Sequence, residues 1–499
     1  MKKHHYITIL LFLLYGNLSS QSWVVNYHGY PLGRTHFSAG FVDEDGVTFL
    51  SGQEGPDNDR PKTLLMRINQ DGSHSETIYD AEGFYSKATC IVETDDHHLF
   101  VAGHLFDDTE DYLIILLFDK NLNLLSEQRI EKEVDAISFG TCRASSDNHG
   151  NIIVSSSVKQ ANEYGGYYSR GVFFKFNRLG EMISHRYLVE EYPSPEYFLM
   201  NFQLRQMWYR NDSETLLCLV PGYGGVMSFI TFDSDFNYLE EHPIWREIDE
   251  KVDHTLFDDC YTDHWLSDSE ALFFSSRGDA DHNKLRISRL NTQGKFLEYI
   301  HLNERPDTID DAAKHRCMAT ANDSTFYLSF HQHTIPYYPG SACVYLLNDK
   351  MEIIGRHIDE THEAFRSFLI FPTKDGGCIT VNDSCIMSSF ATQSHPVITK
   401  LSRNDFETIP WSVSNTYIDK IHAYPNPTEG RLTIPLCGLN LSDARCQIYD
   451  NLGRLITDRQ IHNCDASILL DLSKLDPGIY CYRIYANDKT LFSERIIKK

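Results

Sequence analysis

The chain of 499 residues exceeds the roughly 250 to 300 at which a single core stops growing, so two or more domains are expected unless a repeat architecture takes up the length. Hydrophobic residues make up 41 % and aromatics 12 %, with 28 Tyr and 29 Phe, which excludes a disordered chain and favours strands over helices. A formal net charge of −25 argues against nucleic acid and anionic membrane surfaces as partners, and such a surplus serves solubility.

The first element is a leader. Residues 2–5 are Lys-Lys-His-His, an apolar run follows from Tyr6 to Tyr15, and a small polar end stands at "NLSS", 17–20. This is the pattern of a signal peptide over 1–20, too short in its apolar part to span a bilayer, with cleavage expected before Gln21. No cysteine follows it, so no lipoprotein anchor is expected, and no later stretch has the ~20 apolar residues that membrane insertion needs. Export puts the 12 cysteines in an oxidising route. Eight lie between Cys90 and Cys385, and four, Cys437, Cys446, Cys464 and Cys481, lie near the C-terminus. Even numbers fit separate bridges, while cysteines inside apolar runs, such as Cys218 in "LLCLV", fit buried thiols equally well. No CxxC pair occurs, so neither zinc nor any other cofactor is expected.

From 21 to 408 the sequence repeats itself. A first polar turn followed by a strand-like run recurs at Asp43, Thr94, Ser146, Arg210, Leu266, Ala321 and Thr373. A second turn recurs in "MRINQDG" ending at Gly72, "LLFDKNL" at Leu122, "FKFNRLG" at Gly180, "ITFDSDF" at Phe236, "SRLNTQG" at Gly294, "YLLNDKM" at Met351 and "TKLSRND" at Asp405. The spacing is roughly 50 to 60 residues, near the upper end of propeller-blade repeats. One such unit cannot bury its own apolar faces, so the units must stack or close. The pattern predicts a β-propeller of about seven blades, with "SWVVNY", 22–27, adding an outer strand that helps close the ring. A parallel β-helix is the competing architecture.

Chemistry is sparse in this region. Ser156-x-x-Lys159 matches a nucleophile string but lies in a strand-like run. Asp279-x-Asp281-x-Asn283 begins like a calcium loop and lacks the glycine at the sixth position and the distant acid. His331-x-His333 places two imidazoles on one strand face, with no third ligand in view, so no metal site is expected. Two loops mix Tyr, His, Asn and Arg as glycan- or peptide-binding loops do. They are 158–171, with Tyr164, Tyr167 and Tyr168, and 330–342, with His331, His333, Tyr337 and Tyr338. The expected role is a binding or scaffolding module for glycan or protein rather than an enzyme; the alternative is a glycan hydrolase or lyase, which needs two carboxylates converging in the propeller cavity.

After a linker over 409–420 the pattern changes. Strand-like runs at 431–436, 445–456, 467–473, 478–485 and 491–499, separated by turn formers such as Asn451-Leu452-Gly453 and Asp476-Pro477-Gly478, predict a small Ig-like β-sandwich over 421–499. In Tyr424-Pro425-Asn426-Pro427 each proline fixes φ and extends the residue before it, so the segment suits a stiff approach to a first strand. With Gly430, the Ile448-Tyr449-Asp450 strand and Gly453, the Leu472-Ser473 to Leu475 run leading to Gly478-Ile479-Tyr480, and Lys498-Lys499 at the end, these residues resemble the type A sorting domain of type IX secretion cargo in Bacteroidota. The resemblance implies Sec export to the periplasm, the type IX machinery as partner, and delivery to the outer cell surface or the medium. Four cysteines are more than such domains usually carry, and imply a stapled variant.

Overall fold

The computed structural model describes residues 22–499 apart from 189–203, 409–422, 436–444 and shorter stretches, among them 162–166, 222–226, 254–258, 279–282, 303–307, 335–339 and 388–391. The fold is nearly all-β, and the helical element named among the described residues is one 3-10 turn at Arg403–Asp405. The chain divides into two compact units, Met1–Ile409 and Pro410–Lys499.

In the first unit the strands succeed one another as antiparallel meanders. The first group is Arg34–Val42, Thr48–Gly55, Lys62–Ile68 and His74–Tyr79; the second is Tyr85–Glu93, Leu99–Phe106, Asp111–Phe118 and Leu124–Glu131. The third has Ala136–Phe139 and Arg143–Ser146 side by side on Ile152–Ala161, then Tyr167–Phe176 and Met182–Tyr187. Gln206–Arg210, Thr215–Pro221, Met227–Phe232 and Tyr238–Pro243 make the fourth, and Asp259–Ser267, Glu270–Gly278, Asn283–Asn291 and Phe296–His301 the fifth. The sixth sets Thr308–Ala312 and Met318–Asn322 on Thr325–Thr334, then Gly340–Asn348 and Ile353–Asp359. The last group is Ala364–Pro372, Cys378–Met387 and Thr392–Leu401, and its fourth strand comes from the other end of the unit, where Trp23–Asn26 pairs antiparallel with Thr392–Leu401. The parallel β-helix is contradicted by this pattern. Among the described residues of this unit, the parallel pairings are single contacts, Arg34 with Ser394 and Arg316 with Leu369.

Strand alternation explains how one group binds two neighbours. Leu64, Met66 and Ile68 enter an apolar cluster with Phe371 and Ile398 of the last group, whereas Leu65 between them joins Val101 and Ile114 of the second. The same division continues along the chain. Ile115 meets Val154 and Phe174 of the third group, Phe173 meets Phe232 and Phe236 of the fourth, and Phe229 meets Phe273 of the fifth. Phe274 and Ile287 then pack with Phe326 and Phe330 of the sixth, and Tyr327 with Ile370 of the last. The termini of the unit are latched as well: the Ser22 and Ser402 hydroxyls both donate to Asp405.

The tight turns share one construction. In the Asp43, Asp119, Asp147, Asn177, Asp233, Asn291 and Asn348 turns the side-chain Oδ1 accepts from the backbone N–H groups two and four residues on. The third residue after it is left-handed, as at Gly46 (φ 76°), Leu122 (67°), Gly150 (75°), Gly180 (79°), Phe236 (64°), Gly294 (75°) and Met351 (60°), and Gly72 (85°) takes the same conformation three residues after Asn69. Gly72, Leu122, Gly180, Phe236, Gly294 and Met351 are the aligned ends of the second turn except its seventh, where Asp405 closes a 3-10 turn instead. Turns of neighbouring groups touch, through Lys120 to Asp43 at 2.7 Å and Arg178 to Asp96 at 3.1 Å. The tight turns therefore share one end of the unit, and the hairpins between second and third strands lie at the other.

In the second unit, Arg431–Pro435 pairs with Ser467–Asp471, and Leu455–Gln460, Arg445–Tyr449, Gly478–Ala486 and Lys489–Lys498 form a four-stranded sheet. Leu432, Ile434, Ile468 and Leu470 of the small sheet share one core with Cys446, Ile448, Tyr482, Ile484 and Ile496 of the larger. The run 445–456 is two strands rather than one, because Asp450 accepts from the Arg454 N–H and Gly453 turns left-handed (φ 77°). Cys90, Cys142, Cys218, Cys378, Cys446 and Cys481 are free thiols, so for these the bridges expected from even counts do not form.

Candidate functional site

The innermost strand of several groups in the first unit is interrupted near its middle. Pairing skips Ser38 between Phe37 and Ala39, Thr89 between Ala88 and Cys90, and Phe368 between Ser367 and Leu369. In the third group the strand leaves its partner between Phe139 and Arg143, and in the sixth between Ala312 and Met318. A bulge re-aims the side chains beside it. Opposite two of them stand Gly52 and Gly103, where a Cβ would lie 2.0 Å from the His36 carbonyl and 1.9 Å from that of Lys87; no other residue fits against the bulged strand there.

The interrupted strands surround a cavity of about 210 Å³. Arg143, Arg205 and Arg316 line it together with Thr89, Gln206 and Trp208, and among its described lining residues there is no carboxylate. Arg143 is held by two backbone carbonyls, donating from Nε to Arg205 at 3.0 Å and from Nη1 to Cys142 at 3.2 Å. The Arg316 guanidinium sits 5.2 Å over the Phe371 ring. Trp208 meets Trp265 edge-on at 5.5 Å, and the Thr89 hydroxyl accepts from the Cys142 N–H at 3.2 Å. Cys90 also lines the cavity. Burial pushes its thiol far up and that of Cys142 up to about 11, so neither is a thiolate nucleophile at neutral pH. What the arrangement can do chemically is donate hydrogen bonds, with charge, to an oxyanion.

The residues singled out in the sequence stand elsewhere. Tyr167 and Tyr168 open the third strand of the third group, opposite Ala161 and Gln160. His331 is buried, opposite Asp311 and Ala342, and His333 pairs with Ile309 and Gly340. The strand ends at Ala161, Tyr167, His333 and Gly340 lie opposite the tight turns, and Tyr164, Tyr337 and Tyr338 are outside the described residues. Among the described residues no cluster suited to a metal ion occurs. Ser156 donates to the Gly140 carbonyl at 2.7 Å at a break in the inner strand, which is a structural use; Asp279 and Asp281 fall outside the described residues. The three arginines were missed by sequence reasoning. Their signal was an Arg within small or apolar runs just before the first turn, in "TCRAS", "LRQMW" and "HRCMA".

In the second unit, the last strand gathers the quoted motif. Asn426 donates to the Arg495 carbonyl at 2.7 Å and accepts from the Ile497 N–H at 2.9 Å, and the peptide between it and Pro427 is cis. Thr428 bridges Lys498 on the same side. Its hydroxyl accepts from Gly430 at 3.1 Å and donates to Arg431 at 2.7 Å. On the other side Gly478 pairs with Lys498 and Tyr480 with Ile496, while the Tyr480 hydroxyl donates to Asp476 at 2.9 Å. Gly453 stands apart in its hairpin turn, and Tyr424 and Pro425 lie outside the described residues.

No curated protein matches the chain. Among solved structures it is similar to a protein of unknown function from Dyadobacter fermentans (10 % identity, TM-score 0.42, covering 65 % of this chain and 96 % of that one). It is also similar to the β-propeller domain of the Trilobed protease from Pyrococcus furiosus (10 %, 0.40, 76 % and 99 %) and to polysaccharide lyase Uly1 (10 %, 0.42, 76 % and 92 %). Residues 422–499 match the family described as the secretion system C-terminal sorting domain. The C-terminal segment is thus a type IX secretion sorting domain, and it marks the chain for export to the cell surface or for secretion.

Proposed function

We propose that the chain is made in a Bacteroidota cell with a signal peptide over 1–20. The type IX machinery recognises the Ig-like sandwich of 421–499, and the linker 409–420 joins it to the delivered part, 21–408. That part is a β-propeller of about seven blades acting as a binding or scaffolding module for glycan or protein. The cyclic succession of packed strand groups, with the first and last sharing one sheet, supports the propeller. Tyr424, Pro425, Asn426, Pro427, Gly430, Gly453, Gly478, Tyr480 and Lys498 form the recognised features of the tail. Tyr164, Tyr167, Tyr168, His333, Tyr337 and Tyr338, from the two Tyr-rich loops of 158–171 and 330–342, are the ligand contacts of this reading, whereas His331 is buried and supports its strand from within.

The observation that carries the binding reading is the cavity among the inner strands, donor-rich and lined by no carboxylate among its described residues. A glycosidase needs two carboxylates flanking the scissile bond, and this cavity supplies none among those residues. A glycan array probed with the secreted protein tests the reading. Retention of a defined glycan class without product release is expected. Turnover of the bound glycan would favour the hydrolase or lyase alternative, and no retention at all would remove the glycan reading.

A further inference from the structure

The three guanidinium groups come from different parts of the first unit, with Arg143 on the third group, Arg205 just ahead of the fourth and Arg316 between the two inner strands of the sixth. A chance surface arginine answers to nothing around it, but these three share one cavity of about 210 Å³. Two of them are oriented by contacts within the unit. Arg143 spends Nε and one Nη1 hydrogen on backbone carbonyls, and a guanidinium has five N–H donors, so these contacts leave three of them on a residue that lines the cavity. Arg316 is fixed by the Phe371 ring below it. Between the charges stand neutral hydrogen-bonding groups, the Gln206 amide and the Thr89 hydroxyl, and the indole of Trp208 supplies an aromatic wall.

We propose that this cavity binds the acidic sugar of a glycan. Its carboxylate or sulfate is held by the fork of Arg143 with Arg205 and Arg316, its hydroxyls by Gln206 and Thr89, and its apolar ring face by Trp208. The inference rests on the binding-module reading above. The volume suits one ring-sized group rather than a length of chain, so the unit recognises a terminal or single protruding acidic residue. The net charge of −25 does not prevent this. At physiological salt, charges farther away than about 8 Å are largely screened, whereas guanidinium groups lining the cavity act at contact. Carboxylate and sulfate share the oxyanion chemistry, and uronic and sulfated sugars are separated by the test.

Calorimetric titration of the full secreted chain decides the matter, using an oligoglucuronide, a sulfated oligosaccharide, the matched neutral gluco-oligosaccharide, sodium sulfate and a Glu-rich peptide. Saturable binding of one acidic oligosaccharide is expected, with the neutral one at least about tenfold weaker, and a loss of about tenfold or more in Arg143→Gln and in Arg316→Gln, as for removal of a charge-assisted hydrogen bond. Should Arg143→Gln fail to fold, Arg143→Lys keeps the charge and loses the fork, and is expected to weaken binding while melting as the parent does. Binding of the acidic oligosaccharide that these variants leave unchanged would overturn the proposal. So would sulfate or the Glu-rich peptide binding as tightly as the acidic oligosaccharide. A neutral glycan bound equally in parent and variants overturns the acidic seat while leaving the binding module intact; absence of binding to every glycan removes both.

Discussion

Asn426 spends both ends of its side-chain amide on the last strand of the chain, which turns a proline-flanked approach into a fixed edge of the second unit. Asn426→Ala removes both hydrogen bonds at an exposed site, so a loss of about 1 kcal/mol or somewhat more in the unfolding free energy of this unit is expected, read as a lowered urea midpoint. His104 makes a different prediction. Burial lowers its pKa from 6.5 to about 4, against the smaller opposing effect of a hydrogen bond to the Gly140 backbone. The unfolded chain therefore takes up a proton on this residue before the folded one does. Its contribution is intact above about pH 6.5 and is lost as pH falls towards 4. His104→Gln should flatten the decline of melting temperature across that window, and an unchanged pH profile would show that the ring is not held neutral. At this scale the sequence was weakest. The histidines and tyrosines it drew attention to stand apart from the cavity where the structure describes them, while Arg143 and Arg316 reach it at breaks in inner strands and Arg205 just ahead of one, which no spacing rule announces.

At the scale of elements the repeat was legible because every hairpin needs the same turn. Asn or Asp followed three residues later by Gly, Leu, Phe or Met was readable as an alignment, and the structure adds that the last position is left-handed in each of the first six. The use of large side chains there was not legible. A left-handed backbone costs a non-glycine residue about 1–2 kcal/mol, whereas burying a Phe side chain contributes about 1.5–3 kcal/mol. Phe236 is buried and stacks on Phe173 of the neighbouring group at 5.0 Å, so burial wins. Phe236→Gly should therefore destabilise the first unit by about 1 kcal/mol net, despite relieving the turn. Chemical denaturation checks the sign, and a stabilised variant would mean that backbone strain outweighs the packing. Gly72 carries the opposite demand, because a Cβ there would press on the Trp23 ring at 3.0 Å, where the N-terminal strand completes the last group.

For the whole molecule, the two ends of the sequence spoke more plainly than its middle. A sorting tail is read by machinery that meets many cargoes, so its motif is fixed in sequence, and Asn426, Gly478 and Tyr480 of that motif meet the strand Lys489–Lys498. The delivered unit needs only alternation and turns to fold, so its sequence disclosed architecture without a ligand. In the proposed division of labour, residues up to 409 bind and residues beyond deliver. Fractionation of cells expressing a chain ended after Ile409 tests it most directly. The truncated chain is expected to accumulate in the periplasm while the full chain reaches the surface or the medium; a truncated chain at the surface in parental amounts would rule out delivery by the tail.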